Sequence, residues 1–344
     1  MIRFNNDYNE SAHPRIMEAI TSLGTTSFAG YGLDDVCVQA AQTVRDVVEA
    51  PDAAVHFMVG GTQANTTVVT SLLEAYEGVI SADDGHISAH ETGAIEARGH
   101  KVLAEPSPDG KLSTAIIERV ARDFEESGVQ EHIVEPRLVF VSFPNEFGAL
   151  YSKAELEAIS TTCHAHGLLL FVDGARLGYG LGSPDNDVDI RDIARLTDVF
   201  TIGGTKCGAL FGEAVVFPDP VLGRRFRSYM KQGGGLLAKG WLLGAQFQAL
   251  LEDGLYFAIT RKATEQALRI RDAFAAAGIP AHIDSPTNQQ FIELTLEQAE
   301  RLARDFVFDD EGLGQQGRVC VRFCTSWATT DEEVDALVSA IEGL

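Results

Sequence analysis

Two apolar stretches that end in polar side chains decide the fold: Phe171-Val172-Asp173-Gly174-Ala175-Arg176 and Thr201-Ile202-Gly203-Gly204-Thr205-Lys206-Cys207-Gly208. The first apolar run ends in an aspartate. The second ends in glycines, a hydroxyl and a lysine. If both runs are strands of a parallel sheet, their carboxyl ends open on the edge where ligands bind. The sequence therefore predicts that Asp173 and Lys206 lie together at that edge.

An acid and an amine brought together in this way suit pyridoxal phosphate. That cofactor needs a carboxylate beside its ring nitrogen and an amine for its aldehyde. In this interpretation Asp173 keeps the pyridine nitrogen protonated and Lys206 forms the Schiff base. The alternative from these residues alone is that Asp173 caps a helix and Lys206 is a solvated loop lysine.

The rest of the chain alternates strand and helix patterns. Strand candidates occur at 53–59, 79–81, 101–103, 138–143, 168–172, 199–202 and 214–217, with helical spacing at 33–50, 113–127 and 153–166 between them. This alternation predicts an α/β fold whose mainly parallel sheet is sandwiched by helices. The tail mixes short strands and helices as a small α+β domain. We expect an N-terminal arm (1–14), a large domain (15–240) and a small C-terminal domain (241–344).

The composition disfavours some classes of binding partner. The 344 residues carry a formal net charge of -23, which disfavours nucleic acid and anionic membrane surfaces. The N-terminus lacks the apolar segment of a signal peptide, and no stretch is long enough to span a membrane. Five cysteines without CxxC spacing predict reduced thiols, no zinc site and a cytoplasmic protein.

Two further segments could carry chemistry. Gly60-Gly61-Thr62 links a strand candidate to a helix candidate, where the free N–H groups of the first helical turn can bind an anion. It matches neither GxxxxGK[ST] nor GxGxxG, and the alternative is a tight turn. His86, followed by Glu91, lies just past a strand end. A histidine there can stack on a flat ring or act as a base, or it can simply be hydrogen-bonded within its loop.

Taken together, these motifs resemble the low-specificity L-threonine aldolases, within the pyridoxal-phosphate β-eliminating lyase group. The resemblance covers nearly the whole chain. It is carried, in order, by Gly61-Thr62-Gln63-Ala64-Asn65, the segment from His86 to Gly93, Asp173-Gly174-Ala175-Arg176, Gly203-Gly204-Thr205-Lys206 with Gly212-Glu213-Ala214, and Leu251-Glu252-Asp253-Gly254.

The resemblance implies a fold type I pyridoxal phosphate enzyme and gives each motif a role. Lys206 is the Schiff-base lysine and Asp173 the pyridine partner. His86 stacks on the cofactor ring and His132 is a second active-site histidine. The remaining implied roles are a phosphate cup (Gly61, Thr62), substrate-carboxylate binding (Asn6, Arg176, Arg322) and a tyrosine shared between subunits (Tyr31).

The activity implied is retro-aldol cleavage of L-threonine, L-allo-threonine and related β-hydroxy-α-amino acids to glycine and an aldehyde. The assembly implied is a homotetramer, a dimer of dimers with shared active sites. Asn6 stands where the family often has serine, which leaves substrate preference open. The base is left open among His86, His132 and a bound water. Alternatives are a phenylserine aldolase, a β-eliminating lyase, an aminotransferase on the same scaffold, or a non-enzymatic protein that has kept the fold.

Overall fold

A computed structural model describes all 344 residues. Its thirteen strands are β1 (Ile2–Arg3), β2 (Ala54–Met58), β3 (Glu77–Ala82), β4 (Lys101–Glu105), β5 (Glu135–Ser142), β6 (Leu169–Asp173), β7 (Val199–Gly203), β8 (Glu213–Phe217), β9 (Ala281–Ile283), β10 (Gln289–Leu294), β11 (Phe306–Val307), β12 (Asp309–Leu313) and β13 (Val319–Cys324). Its helices are α1 (Pro14–Ser22), α2 (Asp35–Val48), α3 (Gly61–Leu72), α4 (His86–Ala89), α5 (Thr114–Glu125), α6 (Lys153–Ala165), α7 (Leu177–Leu181), α8 (Ile190–Leu196), α9 (Phe226–Gln232), α10 (Trp241–Leu251), α11 (Leu255–Ala276), α12 (Leu296–Leu302) and α13 (Asp331–Glu342).

The central sheet has seven strands in the order β2-β8-β7-β6-β5-β3-β4. All of them run in one direction except β8, which is antiparallel to both of its neighbours. The predicted α/β architecture with a mainly parallel sheet is confirmed. The carboxyl ends of six strands therefore meet at one edge, and the start of β8 joins them there.

Helices cover both faces of this sheet, so its strands are apolar on both sides. Successive residues of β6 alternate between two cores: Leu170 and Val172 belong to one, and Phe171 belongs to the other. Because side chains of a strand point alternately to opposite faces, a continuous apolar run is what a two-sided core requires. The same requirement explains why the strand candidates were visible in the sequence.

The small C-terminal sheet has the order β12-β13-β10-β9 and its own apolar core. The N-terminal arm is tied to this part of the chain. Strand β1 pairs in parallel with β11, and the fully buried Phe4 belongs to the C-terminal core. Residues 1–14 thus reach across from the first helix to the last third of the chain.

The predicted division at residue 240 stays a prediction. Helix α10 packs against α1 and α2, and its buried Phe247 belongs to the same core as the central sheet. Helix α11 contributes Ala263 to that core and Phe274 to the C-terminal core. Helix α11 therefore connects the core of the central sheet to the C-terminal core. No helix has the length and apolarity needed to cross a membrane.

Candidate active site

The carboxyl edge of the sheet opens into a cavity of about 550 Å³ that lies against the C-terminal sheet. Arg176 and Lys206 reach it from the loops after β6 and β7, and His86 and Glu146 reach it from the segments after β3 and β5. Arg322, on β13, lines the facing wall. The topology therefore brings together side chains that are far apart in the sequence.

Asp173 is the last residue of β6 and is 5% exposed. Its Oδ1 accepts a hydrogen bond from the Ala175 N–H at 2.9 Å and lies 3.3 Å from the Thr201 hydroxyl, while its Oδ2 accepts from Asn65 Nδ2 at 2.9 Å. Donors on three sides hold the carboxylate in one orientation. This orientation needs the glycine at 174, where a Cβ would lie 2.0 Å from the Thr201 carbonyl oxygen.

Lys206 follows β7 by three residues and makes no salt bridge or side-chain hydrogen bond. Burial and the positive charge of Arg176 lower its pKa, although the charges of Asp7 and Asp173 act in the opposite direction. A lowered pKa increases the fraction of neutral amine, which is the nucleophilic form of a lysine. The cavity thus activates this amine for attack on a carbonyl group.

His86 begins α4, and its Nδ1 lies 2.8 Å from Oε1 of the buried Glu91. Burial on its own would lower the pKa of His86, but the hydrogen bond to Glu91 and the charge of Asp173 outweigh it, and the pKa is raised. With a proton on Nδ1 directed at Glu91, the lone pair of the neutral ring lies on Nε2. The ring can then exchange a proton at Nε2.

Glu146 is a site residue that the sequence did not reveal. Its Oε1 accepts from the backbone N–H of His86 at 2.9 Å and from the Ser142 hydroxyl at 2.8 Å. Burial raises the pKa of this carboxyl. Its position just after the end of β5, at the ligand edge of a parallel sheet, was the available signal.

Arg176 is held by a second unpredicted residue, Asp7. The Asp7 carboxylate is fully buried and receives Arg176 Nε at 2.7 Å, Arg176 Nη2 at 3.0 Å and Asn288 Nδ2 at 3.0 Å. One edge of the guanidinium is therefore occupied. Nη1 donates to no protein atom, and Arg176 lines the cavity, so the other edge remains available to a carboxylate. The predicted neighbour Asn6 instead accepts from the Tyr8 N–H at 3.0 Å and does not line the cavity.

Arg322 is placed on the opposite wall, with 19% of its side chain exposed. Its Nη2 donates to Asp309 at 2.5 Å, and its Nε lies 3.3 Å from Glu311. Both acids are on β12, beside β13. Arg176 and Arg322 thus line one cavity, the first from the loop after β6 and the second from the C-terminal sheet.

The phosphate-cup candidates lie at the same edge of the sheet. Helix α3 begins at Gly61 with no side chain capping its first turn, and the N–H groups of Gly61 and Thr62 have no protein partner. A Cβ at Gly60 or Gly61 would meet no atom within 4 Å, so the approach to these groups is open. The start of α3 fits an anionic group, and Asp173 with Lys206 fits a ring nitrogen and an aldehyde, so these residues fit pyridoxal phosphate.

Two predicted residues lie elsewhere. His132 does not reach the cavity: it ends a turn that precedes β5, at the opposite end of that strand from Ser142, and its side chain is 71% exposed. It lies outside this chain's own cavity because the start and end of a parallel strand lie on opposite edges of the sheet, and its assignment as an active-site histidine stays a prediction. Tyr31 lines a separate cavity, where Lys231 Nζ lies 4.5 Å from its ring centroid.

The comparisons with known proteins agree with this geometry. The family model described as "Beta-eliminating lyase" matches residues 14–297. The low specificity L-threonine aldolase of Pseudomonas sp. (strain NCIMB 10558) is 30% identical over 352 residues, covering 99% of this chain and 97% of the relative. A solved structure of Leishmania major threonine aldolase is 43% identical with a TM-score of 0.96, covering 100% of this chain and 99% of that one. A putative L-allo-threonine aldolase from Listeria monocytogenes shares the fold, with a TM-score of 0.73 at 16% identity.

Proposed function

Because this chain belongs to the beta-eliminating lyase family, we propose that it is a pyridoxal-phosphate-dependent lyase that cleaves L-threonine, L-allo-threonine and related β-hydroxy-α-amino acids to glycine and an aldehyde. The observation that carries the proposal is that Asp173 and Lys206 follow neighbouring strands at one edge of the sheet, close enough for the charge of Asp173 to act on Lys206. The likeness to threonine aldolases favours the retro-aldol reaction over the other chemistries of this fold.

Five residues would hold the cofactor: Gly61 and Thr62 at its phosphate, Asp173 at its ring nitrogen, His86 beside its ring and Lys206 at its aldehyde. When bound, pyridoxal phosphate supplies an electron sink for the pair released as the Cα–Cβ bond breaks. Asp173 contributes a fixed negative charge that three donors keep in position. Lys206 contributes an amine whose pKa is lowered by burial and by Arg176.

Arg176 and Arg322 would bind the substrate carboxylate. Arg176 is oriented by its two-point contact with Asp7, which uses Nε and Nη2 and leaves Nη1 without a protein partner. Arg322 would exchange its contacts with Asp309 and Glu311 for the substrate carboxylate. Holding the carboxylate from two sides fixes the rotation about Cα, and therefore which bond is placed for cleavage.

We assign the proton transfer at the β-hydroxyl to His86. Its Nδ1 is bonded to Glu91, so the neutral ring presents the lone pair of Nε2. A proton taken from the hydroxyl there can be returned to Cα when glycine forms. A positioned base of this kind typically contributes about 10²–10⁴ in rate.

Assembly and location are also part of the proposal. We propose a homotetramer with active sites shared between subunits, supported by the resemblance to the aldolase family. Tyr31, exposed over 43% of its surface and outside the Lys206 cavity, is the residue we expect a neighbouring subunit to receive. All five cysteines are unpaired, as expected for a cytoplasmic protein.

The test is product analysis. The purified protein, loaded with pyridoxal phosphate, is incubated with L-threonine, L-allo-threonine and phenylserine, and glycine and aldehyde are quantified. We expect equal amounts of both, with no requirement for a keto acid. Lys206→Ala is the matched control, and it should lose both the products and the adduct that borohydride fixes to the lysine. Turnover that depends on a keto acid would identify an aminotransferase and refute the aldolase proposal.

A further inference from the structure

Asn65 lies between two functional carboxylates. It is on α3, four residues after Gly61, and its side chain is fully buried. Its Nδ2 donates to Asp173 Oδ2 at 2.9 Å and to Glu91 Oε1 at 2.8 Å. The Glu91 oxygen is also the one that contacts His86 Nδ1. One amide group therefore connects the predicted partner of the ring nitrogen to the predicted base.

The orientation of this amide is set by the two carboxylates. A flipped side chain would direct Oδ1 at two acids, which repels, whereas Nδ2 has one hydrogen for each of them. Oδ1 itself has no hydrogen-bond partner, and neither does Glu91 Oε2. A buried amide that leaves its oxygen unsatisfied while using both hydrogens on acids is poorly explained as a stabilising element, because the unpaired oxygen is costly.

The physical role follows from the charges. Asp173 and Glu91 are each 5% exposed, so little water screens their repulsion. The Asn65 amide places one hydrogen on each carboxylate and so offsets their repulsion. A displaced Asp173 would move away from the cofactor nitrogen, and a displaced Glu91 would release the His86 ring.

We propose that Asn65 is a positioning residue that holds the Asp173 and Glu91 carboxylates in fixed positions, and so couples the ring-nitrogen partner to the histidine. This inference rests on the proposed function for the roles of Asp173 and His86. It adds a link between those roles that neither residue shows by itself.

The experiment compares Asn65→Asp, Asn65→Leu and Asn65→Gln. Aspartate keeps the shape but replaces the donor with a third acid, leucine removes all polarity, and glutamine keeps the amide. The matched control is Asn186→Asp, because Asn186 uses its amide within a loop, donating to the Val188 carbonyl oxygen at 2.6 Å, outside the cavity. Four quantities are measured: the dissociation constant of pyridoxal phosphate from the apoprotein, the pH dependence of the bound cofactor's visible absorbance, the steady-state kinetics with L-threonine, and the melting temperature.

We expect Asn65→Asp and Asn65→Leu to weaken cofactor binding and to lower kcat, each by about 10-fold or more, as for a lost hydrogen bond to a charged group. The pH at which the absorbance changes should move, while KM for threonine stays within about twofold, because the arginines are untouched. Asn65→Gln should recover part of each effect. Asn186→Asp should behave as wild type.

Two outcomes overturn the inference. The first is cofactor affinity and an absorbance titration within about twofold of wild type in both disruptive variants. The second is a loss of activity that accompanies only a lower melting temperature, with no spectral change, which would leave Asn65 a structural role. If Asn65→Asp and Asn65→Leu do not fold, Asn65→Gln still tests the inference. Because it recovers only part of each effect, its absorbance should still change at a different pH from that of the wild type. If wild type forms no glycine, the aldolase proposal fails, while affinity and absorbance still test the inference.

Discussion

Replacing Asp7 with Asn should destabilise the whole protein, although Asp7 belongs to the N-terminal arm. The Asp7 carboxylate is fully buried and binds Arg176 at two points. Removing one partner of a buried ion pair leaves the other charge without compensation, which costs about 3–5 kcal/mol. The asparagine keeps the shape but must also direct an amide at Asn288 or Arg176, both of which donate hydrogen bonds to this site.

This loss of unfolding free energy can be measured as a lower melting temperature. The usual unfolding entropy per residue converts 1 kcal/mol into about 1.4 °C for a chain of 344 residues, so we expect a melting temperature lower by about 4–7 °C near neutral pH. The assay is differential scanning calorimetry of the apoprotein. The control is Asp52→Asn, because Asp52 is exposed and makes no salt bridge. A decrease of less than about 1 °C, as for a solvated surface pair, would refute this reasoning.

The pH dependence of stability gives a second check of the Asp7–Arg176 ion pair. Burial would raise the pKa of Asp7, but the charges of Arg176 and Lys206 and the hydrogen bonds outweigh it, so the folded pKa lies below its usual value. A lowered folded pKa stabilises the protein fully above the unfolded pKa of about 3.9, and this contribution is lost as the pH falls toward the folded pKa. The difference between wild type and Asp7→Asn should therefore narrow below about pH 4. A difference that widens in acid would contradict the assigned pair.

Three other predictions concern the cavity. Asp173→Asn removes the charge beside the cofactor nitrogen and should lower kcat about 100-fold or more while the cofactor remains bound. Turnover and the absorbance of the bound cofactor measure the two effects. Near-normal turnover would show that Asp173 is not the pyridine partner. Arg322→Lys keeps a charge but loses the planar guanidinium, so KM for threonine should rise about 10-fold while the absorbance of the bound cofactor is unchanged. An unaltered kcat/KM in both this variant and Arg322→Ala would exclude a role in binding the carboxylate. Glu91→Gln replaces the charged acceptor that raises the pKa of His86 with a neutral one, so the acidic limb of the kcat/KM profile should move to lower pH. An unmoved limb would mean that His86 is not the group that titrates.

Local sequence patterns determined much of this molecule. The apolar runs that became β6 and β7 could be recognised because a two-sided core needs uninterrupted apolar strands. The parallel arrangement then places their carboxyl ends on one edge of the sheet, which is enough to bring Asp173 and Lys206 near each other. The start of α3 at Gly61 could also be recognised in the sequence, because a glycine pair between a strand and a helix is a local signal.

Tertiary structure decided the partners of these residues. Asp7 and Arg176 are separated by 169 positions, and Asn65 and Asp173 by 108, so no spacing in the sequence relates them. Asn6 and Asp7 show the limit: the resemblance implied that Asn6 binds the substrate carboxylate, but Asn6 does not line the cavity, and only packing determined that its neighbour Asp7 is the buried acid beside Arg176. The only sequence signal for Glu146 was its position after β5, which does not distinguish it from other polar residues in loops after strands.

The sequence also did not determine which edge of the sheet His132 occupies. A histidine near a strand resembles an active-site residue in the sequence, yet it precedes β5 and therefore lies at the amino edge of the sheet. The chain direction of a strand fixes which edge each flanking loop occupies, and that direction is defined only relative to the neighbouring strands. Local propensity depends on nearby residues and can be read from sequence, whereas a buried charge acquires its partner, and its altered pKa, only when distant segments exclude water together.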